Sequence, residues 1–336
     1  MKTPGERPRL LDRRGLAVVL LGATAVLSAE TPREARVKRF TTPSVNSNPA
    51  AIVAGRDGAL WFTEPGVNAI GRITTAGVVT EFAIPTGGSL PTGITAGADG
   101  NIWFTEANAG RIGRITPGGS ISEFAIPEGS LPIAIVAGPD GNIWYTNAAG
   151  GRIGRLSVDG LVMEFAVPTS GAQPYGIAAG DNNLWFTEPD ANKIGKMNTG
   201  GGSLEYTVPT SNGRPTTIVA GLDHHCWFVE SPLPVPFAPE PRIGRISTLG
   251  AFVDFTIDGA KSLPESIVVG PDGNIWFTDP QANLIRSIEP LGKLTKVKIS
   301  AAGPAGITVG PDGALWFTEQ PNGIGRIDMA RNRGSR

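Results

Sequence analysis

The sequence predicts an all-β protein, a seven-bladed β-propeller with four antiparallel strands in each blade. Three observations predict it: a repeat of about 41 residues that contains one tryptophan, Asp-Gly turns inside the repeat, and an N-terminal segment that supplies what the last repeat lacks. Successive tryptophans are 42, 41, 41, 42, 49 and 40 residues apart, and four short strands per period of this length are typical of propeller blades. The seven tryptophans are Trp61, Trp103, Trp144, Trp185, Trp227, Trp276 and Trp316.

The repeat at residues 91–127 shows the strands of one blade most clearly. Asp99-Gly100 joins its first two apolar runs, and such a pair predicts a hairpin turn because the turn requires a positive φ angle. A Pro-Gly-Gly sequence closes the third run, and the fourth alternates apolar and polar residues. A single blade cannot bury both of its faces, so the blades must stack side by side. The four strand-like runs lie at 93–96, 101–106, 111–116 and 120–126.

The two ends of the chain predict how the ring closes. The last repeat stops after its third run, at 323–328, and residues 36–43 match the fourth run of the other repeats. An N-terminal strand that completes the last blade closes the ring and leaves few open strand edges. The alternative architecture, a linear β-solenoid, gains nothing from this arrangement. We therefore expect residues 30–336 to form one propeller domain.

Residues 1–29 have the pattern of a bacterial signal peptide. Five basic residues lie within residues 1–14, a short apolar run follows, and Ser28 and Ala29 are small. The apolar run is shorter than the roughly 20 residues that a membrane-spanning helix needs. The alternative is an uncleaved N-terminal anchor. We expect an exported protein, periplasmic or extracellular, with no stable membrane insertion after the signal is cleaved.

The composition excludes several classes of protein. The 336 residues include 46 Gly and 29 Pro, which suits short strands joined by tight turns. The single cysteine excludes a disulfide scaffold and a Cys-rich zinc site. The near balance of 29 basic and 30 acidic residues gives no indication of nucleic-acid binding. We expect a monomer whose partner is a small-molecule or peptide-like ligand.

The face opposite the Asp-Gly turns, here called the top, is the predicted functional face. Second strands end there, and six of the seven residues at those ends are acidic. One interpretation pairs each acid with a basic residue of the third strand or with backbone N–H groups. The other places the acids in a ring around a top pocket that holds Mg²⁺ or Ca²⁺. The seven residues are Glu64, Glu106, Asn147, Glu188, Glu230, Asp279 and Glu319. The basic residues of the third strands are Arg72, Arg114, Arg155, Lys196, Arg245 and Arg326.

The fifth repeat, which forms the predicted blade V, departs from the repeat pattern on the top face. The segment after Glu230 is about seven residues longer than its counterparts and rich in proline, and Phe237 lies near its centre. It is a lid or contact surface in one interpretation and a neutral insertion in the other. Tyr175, which follows the proline that opens a first strand, joins Glu230 and Phe237 as a predicted ligand-binding residue.

The two histidines and the cysteine also lie in blade V. His224 and His225 replace its Asp-Gly turn, which places them on the face opposite the top, here called the bottom. Cys226 stands next to Trp227, where other repeats have Ile or Leu, so we expect a core residue and not a nucleophile.

The repeat resembles that of the streptogramin B lyases, also called virginiamycin B lyases. The shared pattern, PxGIxxGxDGxxWFTExxxxxIGRIxxxGxxxEFxIP, covers residues 36–328. The resemblance implies a seven-bladed propeller that opens cyclic depsipeptide antibiotics by a Mg²⁺-dependent elimination at the ester. It also implies a site on the top of the last two blades. That site has a His after the proline of each first strand, a Glu two residues before the second His, and a Glu that ends the last WFTE segment.

The sequence keeps one of these four residues. Glu265 and Ala305 take the places of the histidines, Gly303 that of the first Glu, and Glu319 is the Glu that ends WFTE. Elimination needs a base with a pKa near neutral, so we predict a ligand-binding propeller that has lost antibiotic opening. One alternative is a metal-dependent lyase or lactone-acting enzyme, with Glu265 and Glu319 catalytic and with Asp279, Glu319 and Glu265 as Mg²⁺ ligands. The other is a non-catalytic interaction scaffold of the cell envelope.

Overall fold

A computed structural model of the protein describes residues 33–34, 37–233, 238–257, 262–298 and 303–329. The predicted signal peptide lies outside these residues. The described residues form 29 β-strands and no helix, and hence none of the long apolar helices that cross membranes. The strands are grouped in seven sheets, which are the seven predicted blades.

Two short strands come first, and the strands of blades I to III follow in sequence order within each sheet. The first two are β1 (Arg33–Glu34) and β2 (Val37–Thr41). Blade I has β3 (Ile52–Ala54), β4 (Ala59–Glu64), β5 (Ala69–Thr74) and β6 (Val79–Ala83). Blade II has β7 (Pro91–Ala96), β8 (Ile102–Glu106), β9 (Arg111–Ile115) and β10 (Ile121–Ala125). Blade III has β11 (Pro132–Ala137), β12 (Ile143–Asn147), β13 (Arg152–Leu156) and β14 (Val162–Ala166).

Blades IV to VII repeat the same order, and the last of them takes its fourth strand from the N-terminus. Blade IV has β15 (Ile177–Gly180), β16 (Asn183–Glu188), β17 (Lys193–Asn198) and β18 (Ser203–Thr207). Blade V has β19 (Pro215–Ala220), β20 (His225–Glu230), β21 (Arg242–Ser247) and β22 (Phe252–Thr256). Blade VI has β23 (Ile267–Val269), β24 (Ile275–Asp279), β25 (Leu284–Ile288) and β26 (Leu294–Lys298). Blade VII has β27 (Pro304–Val309), β28 (Leu315–Glu319), β29 (Gly323–Ile327) and β2.

The predicted closure of the ring is confirmed. β2 pairs antiparallel with β29, with Val37 opposite Ile327, and so completes blade VII. A second feature of this segment was not predicted: β1 pairs in parallel with β26, with Arg33 opposite Val297, and makes blade VI five-stranded. The N-terminal strands therefore cover the outer edges of the last two blades.

The tryptophans are confirmed as core residues, because all seven are between 0% and 6% exposed. They pack between neighbouring blades, as Trp144 of blade III does against Leu184 and Phe186 of blade IV. Six of them stack on an aromatic residue of the fourth strand, with ring centroids 5.3 to 6.3 Å apart. The blade interfaces are therefore built from the one residue that marks the repeat.

The basic residues of the third strands belong to the bottom face. Arg72 lies opposite Trp61 in the register and donates to Asp57 Oδ2 at 2.8 Å. Trp61 Nε1 donates to Asp57 Oδ1 at 3.2 Å, and this Trp–Asp bond recurs in six blades within the described residues. Although burial opposes it, these bonds lower the pKa of Asp57. Arg245 and Arg326 meet bottom aspartates in the same way, and Arg114, Arg155 and Lys196 donate to backbone carbonyls. The predicted pairing with the acids of the top face is therefore wrong for these six residues.

Candidate functional site

The seven first strands begin around the central opening of the top face, here called the mouth. The residue after each opening proline lies on the mouth, and neighbouring blades touch there through Gly306 N–H and the Ala50 carbonyl, 3.1 Å apart. Tyr175 is 43% exposed and Glu265 is also exposed, whereas Ala305 is 4% exposed. The mouth residues are Ala50, Thr92, Ile133, Tyr175, Thr216, Glu265 and Ala305.

A ring of hydrogen bonds fixes the backbone of the mouth. In six blades a threonine of the second strand donates to the carbonyl of the next mouth residue, as Thr146 does to Tyr175 at 2.8 Å. Blade V has Val229 at this position, and Thr217 of its first strand donates to the Glu265 carbonyl instead, at 2.9 Å. The main chain at Tyr175 and Glu265 is thus held by the preceding blade. The six threonines are Thr63, Thr105, Thr146, Thr187, Thr278 and Thr318.

The mouth has an apolar side and a polar side. Leu90 and Leu131 precede the mouth residues of blades II and III and are 38% and 37% exposed. Tyr175, Arg214 and Glu265 form the polar side on blades IV to VI. The surrounding protein and then the Glu265 carboxylate raise the pKa of Tyr175, with Arg214 opposing. The surrounding protein also raises the pKa of Glu265.

A cleft of about 650 Å³ opens on the top of blade III, along the connection that leads to blade IV. Leu131 of the apolar side, Thr169 and Gln173 line it, and Gln173 lies two residues before Tyr175. Small-molecule sites are typically concave and roughly 300–1,000 Å³ in volume. The cleft adjoins the mouth where its apolar and polar sides meet.

The acids that end the second strands do not surround the mouth. Glu64, Glu106, Glu188, Glu230 and Asp279 are 0% exposed. Each lies on the same side of its strand as the aromatic residue two positions earlier, because side chains alternate along a strand. Those aromatic residues pack in the blade interfaces. The interpretation of a carboxylate ring around a top pocket is therefore wrong.

In blades VI and VII an arginine neutralises the buried acid. Arg286 Nη2 lies 2.7 Å from Asp279 Oδ2, and the two side chains are 2% and 0% exposed. Ser262 Oγ and a backbone N–H also donate to Asp279, at 2.8 and 2.9 Å. Arg39 of the closing strand donates to both carboxylate oxygens of Glu319, at 2.9 and 3.2 Å. Both acids are thus held by cations of their own blades.

These ion pairs decide whether the predicted metal ligands fit Mg²⁺. The ion takes oxygen ligands in a near-octahedral arrangement, but the oxygens of Asp279 and Glu319 already accept from arginine or from other donors. Glu265 is exposed on the mouth, whereas Asp279 and Glu319 are buried. No group of three Asp, Glu, His or Cys side chains able to hold a metal ion occurs within the described residues. The residues present do not fit the Mg²⁺ that the family resemblance implies.

In four blades the buried acid faces a second carboxylate on the fourth strand. Burial and then the second carboxylate raise the pKa of Glu64, Glu106 and Glu188 to about 8, and that of Glu230 to about 7. The carboxyl oxygens of these four residues have no hydrogen-bond partner of standard geometry among the described residues. Each of the four therefore holds its proton more tightly than a glutamate in water does. The pairs are Glu64 with Glu81, Glu106 with Glu123, Glu188 with Glu205, and Glu230 with Asp254.

Blade III shows which hydrogen bond this position requires. Asn147 replaces the acid, and its Nδ2 donates to Glu164 Oε1 at 3.0 Å. Tyr145 OH donates to the same oxygen at 3.1 Å. An amide donates to the carboxylate just as a protonated carboxyl group does. The buried group at the end of the second strand is thus an acid with a raised pKa in four blades and an amide in blade III. In blades VI and VII it is an acid paired with an arginine.

The remaining predicted residues are distributed over both faces. Tyr175 lies on the mouth as predicted, Glu230 is buried in a blade interface, and Phe237 lies outside the described residues. His224 and His225 are the only histidines of the sequence, and both belong to the bottom turn of blade V. Cys226 is a buried free thiol, as predicted.

Comparison with known proteins gives a consistent result. The model of the Virginiamycin B lyase family matches residues 22–232 and 238–332. Virginiamycin B lyase from Staphylococcus aureus, with selenomethionine, is 34% identical; the match covers 88% of this chain and 100% of that chain, with a TM-score of 0.82. A streptogramin B lyase structure is 34% identical over 87% of this chain and 97% of that one, with a TM-score of 0.81.

A third structure is that of a variant enzyme. It is the catalytically inactive histidine-to-alanine variant of the S. aureus lyase with quinupristin. It is 34% identical over 88% of this chain and 100% of that chain, with a TM-score of 0.81. A search of curated proteins gave no match to this chain.

Proposed function

Since the chain belongs to the virginiamycin B lyase family, we propose that it binds a small, peptide-like ligand at the mouth and leaves it intact. The observation that carries the proposal is the absence of a histidine from the top face, in a sequence whose two histidines lie in a bottom turn. Glu265 and Ala305 stand where the family pattern has histidines. In the S. aureus lyase, one histidine-to-alanine change accompanies loss of catalysis in a structure with quinupristin.

The chemistry of elimination explains the loss of turnover. A base must take the proton next to a carbonyl while the ester oxygen leaves, and a positioned base contributes about 10²–10⁴-fold to the rate. Ala305 has no proton acceptor on its side chain, and it is buried. Glu319 is held by Arg39 through both oxygens and so is not free to bind an ion or a proton of the ligand. Binding and catalysis are thus separated in this chain.

The mouth and its adjoining cleft support ligand binding. Leu90 and Leu131 offer exposed apolar surface, and Tyr175 and Glu265 offer a hydroxyl and a carboxyl group across from it. Such an arrangement suits a ligand with apolar side chains and amide or amine groups, which is the chemistry of a short or cyclic peptide. The mouth is pre-formed, because the threonine ring holds its backbone.

Export is part of the proposal. Its support is the sequence of residues 1–29, with a basic start, an apolar run and small residues at the end. An exported binding protein would meet its ligand outside the cytoplasm. The site of action is then the periplasm or the extracellular space.

Replacing Tyr175 should weaken binding of the ligand. Quinupristin is the probe, titrated into the purified protein by calorimetry. We expect measurable binding by the wild type and about tenfold weaker binding by Tyr175→Ala, because aromatic residues at the centre of a site supply a large share of the binding energy. The matched control is Leu249→Ala, which removes a 90% exposed side chain from a bottom turn and should leave affinity unchanged.

The same titration, repeated in Mg²⁺ and in EDTA together with thermal melting curves, discriminates the alternatives. Equal affinities and melting temperatures in Mg²⁺ and in EDTA are expected, since the described acids do not fit the ion. Stabilisation by Mg²⁺ would favour the metal-dependent enzyme. Absence of any binding by the wild type would refute the ligand-binding proposal and favour an interaction scaffold.

One observation favours a second candidate function, an enzyme that uses Glu265 as base. Its carboxyl group is exposed on the mouth beside Tyr175, and its pKa is raised. A raised pKa makes a carboxylate a stronger base. Ring opening that Glu265→Gln abolishes would establish this candidate in place of the first.

A further inference from the structure

The ring has one seam, where the chain passes from its closing strand to blade I. Residues 42–48, here called the closure segment, join β2 to β3 on the top face. Two backbone hydrogen bonds and one from the Thr42 hydroxyl to the Asn322 carbonyl, at 3.3 Å, hold the segment to blade VII. The Thr42 N–H donates to the Asn322 carbonyl at 3.0 Å, and the Asn48 N–H donates to the Pro321 carbonyl at 2.8 Å.

On the other side of the seam, the closure segment depends on a carboxylate. Ser44 donates to Glu81 twice, from its N–H at 2.9 Å and from its Oγ at 2.6 Å. The Ser47 carbonyl accepts from Gly66 N–H at 3.0 Å. Glu64 lies behind this contact, fully buried, and neither of its carboxyl oxygens has a partner of standard geometry among the described residues. The segment therefore rests on a pair of carboxyl groups.

No cation neutralises this pair within the part of the chain that the structure describes. Glu81 is the one ionisable group that acts on Glu64, and Ser47 is the other polar side chain beside it. The first residue of the third strand is Ala69 here, whereas blades II to V have Arg or Lys at that position. The blade VII residues bonded to the closure segment, Pro321 and Asn322, are uncharged. Glu64 is fully buried and Glu81 is partly buried, and a buried carboxyl group beside a carboxylate favours its protonated form.

We propose that Glu64 and Glu81 form a proton-binding site, in which one buried proton holds the closure segment on blade I and its loss loosens the seam. Blade III carries the independent support, because Asn147 donates an N–H to Glu164 in the corresponding place. This proton site is independent of the ligand and of catalysis, and it acts on the closure of the ring.

The direction of the pH dependence follows from the raised pKa of Glu64. Burial, together with Glu81, raises its pKa from 4.5 to about 8 in the closed state. The proton stabilises the closed seam fully below pH 4.5, and this stabilisation is lost as the pH rises through about 8. Between these values each pH unit makes opening about tenfold easier, because the open form releases the proton. Above pH 8 the dependence levels off.

Amide hydrogen exchange of the full chain tests the proposal. Protection of residues 42–48 and of the Gly66 amide is measured from pH 5.5 to 8.5 and corrected for the intrinsic exchange rate. In the wild type we expect protection to fall about 100-fold between pH 5.5 and 7.5, at about tenfold per pH unit. Glu64→Gln keeps a donor without a titrating proton, so its protection should be independent of pH.

Blade III offers the reverse variant. Leu131 N–H donates to Asn147 Oδ1 at 3.0 Å, so its exchange reports on this blade. Asn147→Asp places a titrating acid beside Glu164 and should give the Leu131 amide a pH dependence that the wild type lacks. If Glu64→Gln fails to fold, this variant still tests the proposal. So does the comparison, in the wild type, of residues 42–48 with the Leu131 amide. Protection of residues 42–48 that does not change with pH, or that falls equally in Glu64→Gln, would overturn the proposal. So would protection that disappears in EDTA at constant pH, since a metal ion would then occupy the site.

Discussion

A chain without residues 30–43 is expected to lose cooperative folding. The deletion removes β2, and with it Phe40, which stacks on Trp316 at 5.5 Å. It also removes Arg39 and leaves Glu319 as a buried charge without its partner, a change that typically costs about 3–5 kcal/mol. Loss of Phe40, which is partly buried in the interface between blades VII and I, adds up to roughly 3 kcal/mol. Together these losses are comparable with the whole stability of a typical domain, about 5–15 kcal/mol.

Circular dichroism during heating measures the effect. A chain without residues 1–29 is the control, and it should melt at the temperature of the full chain because its closing strand is intact. A chain without 30–43 that melts at the control temperature would show that β2 does not hold the ring.

Truncation of one interface tryptophan is expected to give the second largest effect. Trp144 is fully buried, stacks on Phe165 with ring centroids 5.7 Å apart and donates to Asp140 at 2.9 Å. Trp144→Ala leaves a cavity between blades III and IV and should lower the free energy of unfolding by about 3–5 kcal/mol. Urea denaturation followed by circular dichroism gives the value directly.

A matched pair separates packing from hydrogen bonding. The Trp185 Nε1 atom has no hydrogen-bond partner among the described residues, so Trp185→Phe loses packing alone. Trp144→Phe also loses the bond to Asp140 and should cost about 1 kcal/mol more. If Trp144→Ala stays within about 1 kcal/mol of the wild type, the tryptophans do not support the interfaces as described.

The fold could be predicted because its determinants repeat along the sequence. The phase of the tryptophans, the Asp-Gly turns and the displaced fourth strand each specify local structure, and all three agree. The pairing of β1 with β26 was not predicted because Arg33–Glu34 carries no repeat signal. Two residues can pair with the edge of an existing sheet through backbone hydrogen bonds alone, without any pattern of side chains.

The buried acids could not be placed from the repeat alone, although two signals were present. Glu64 shares its side of the strand with Phe62, which indicates an interface position. Arg286 replaces the glycine that other third strands place beside this aromatic residue, as Gly71 does beside Phe62. Arg39 likewise stands where the fourth strands of blades I to V have an acid. These exchanges identify cations that neutralise a buried acid, but only the three-dimensional register shows which acid each one meets.

We propose that this propeller retains the lyase fold without the lyase reaction. The most direct test is prolonged incubation of the purified protein with a virginiamycin B-type depsipeptide and Mg²⁺, with the S. aureus lyase as positive control. Ring opening by elimination leaves the mass unchanged, so the products are separated by liquid chromatography. We predict that the antibiotic stays intact, because loss of a positioned base removes about 10²–10⁴-fold of the rate. Mg²⁺-dependent opening at a rate similar to that of the control would contradict the account.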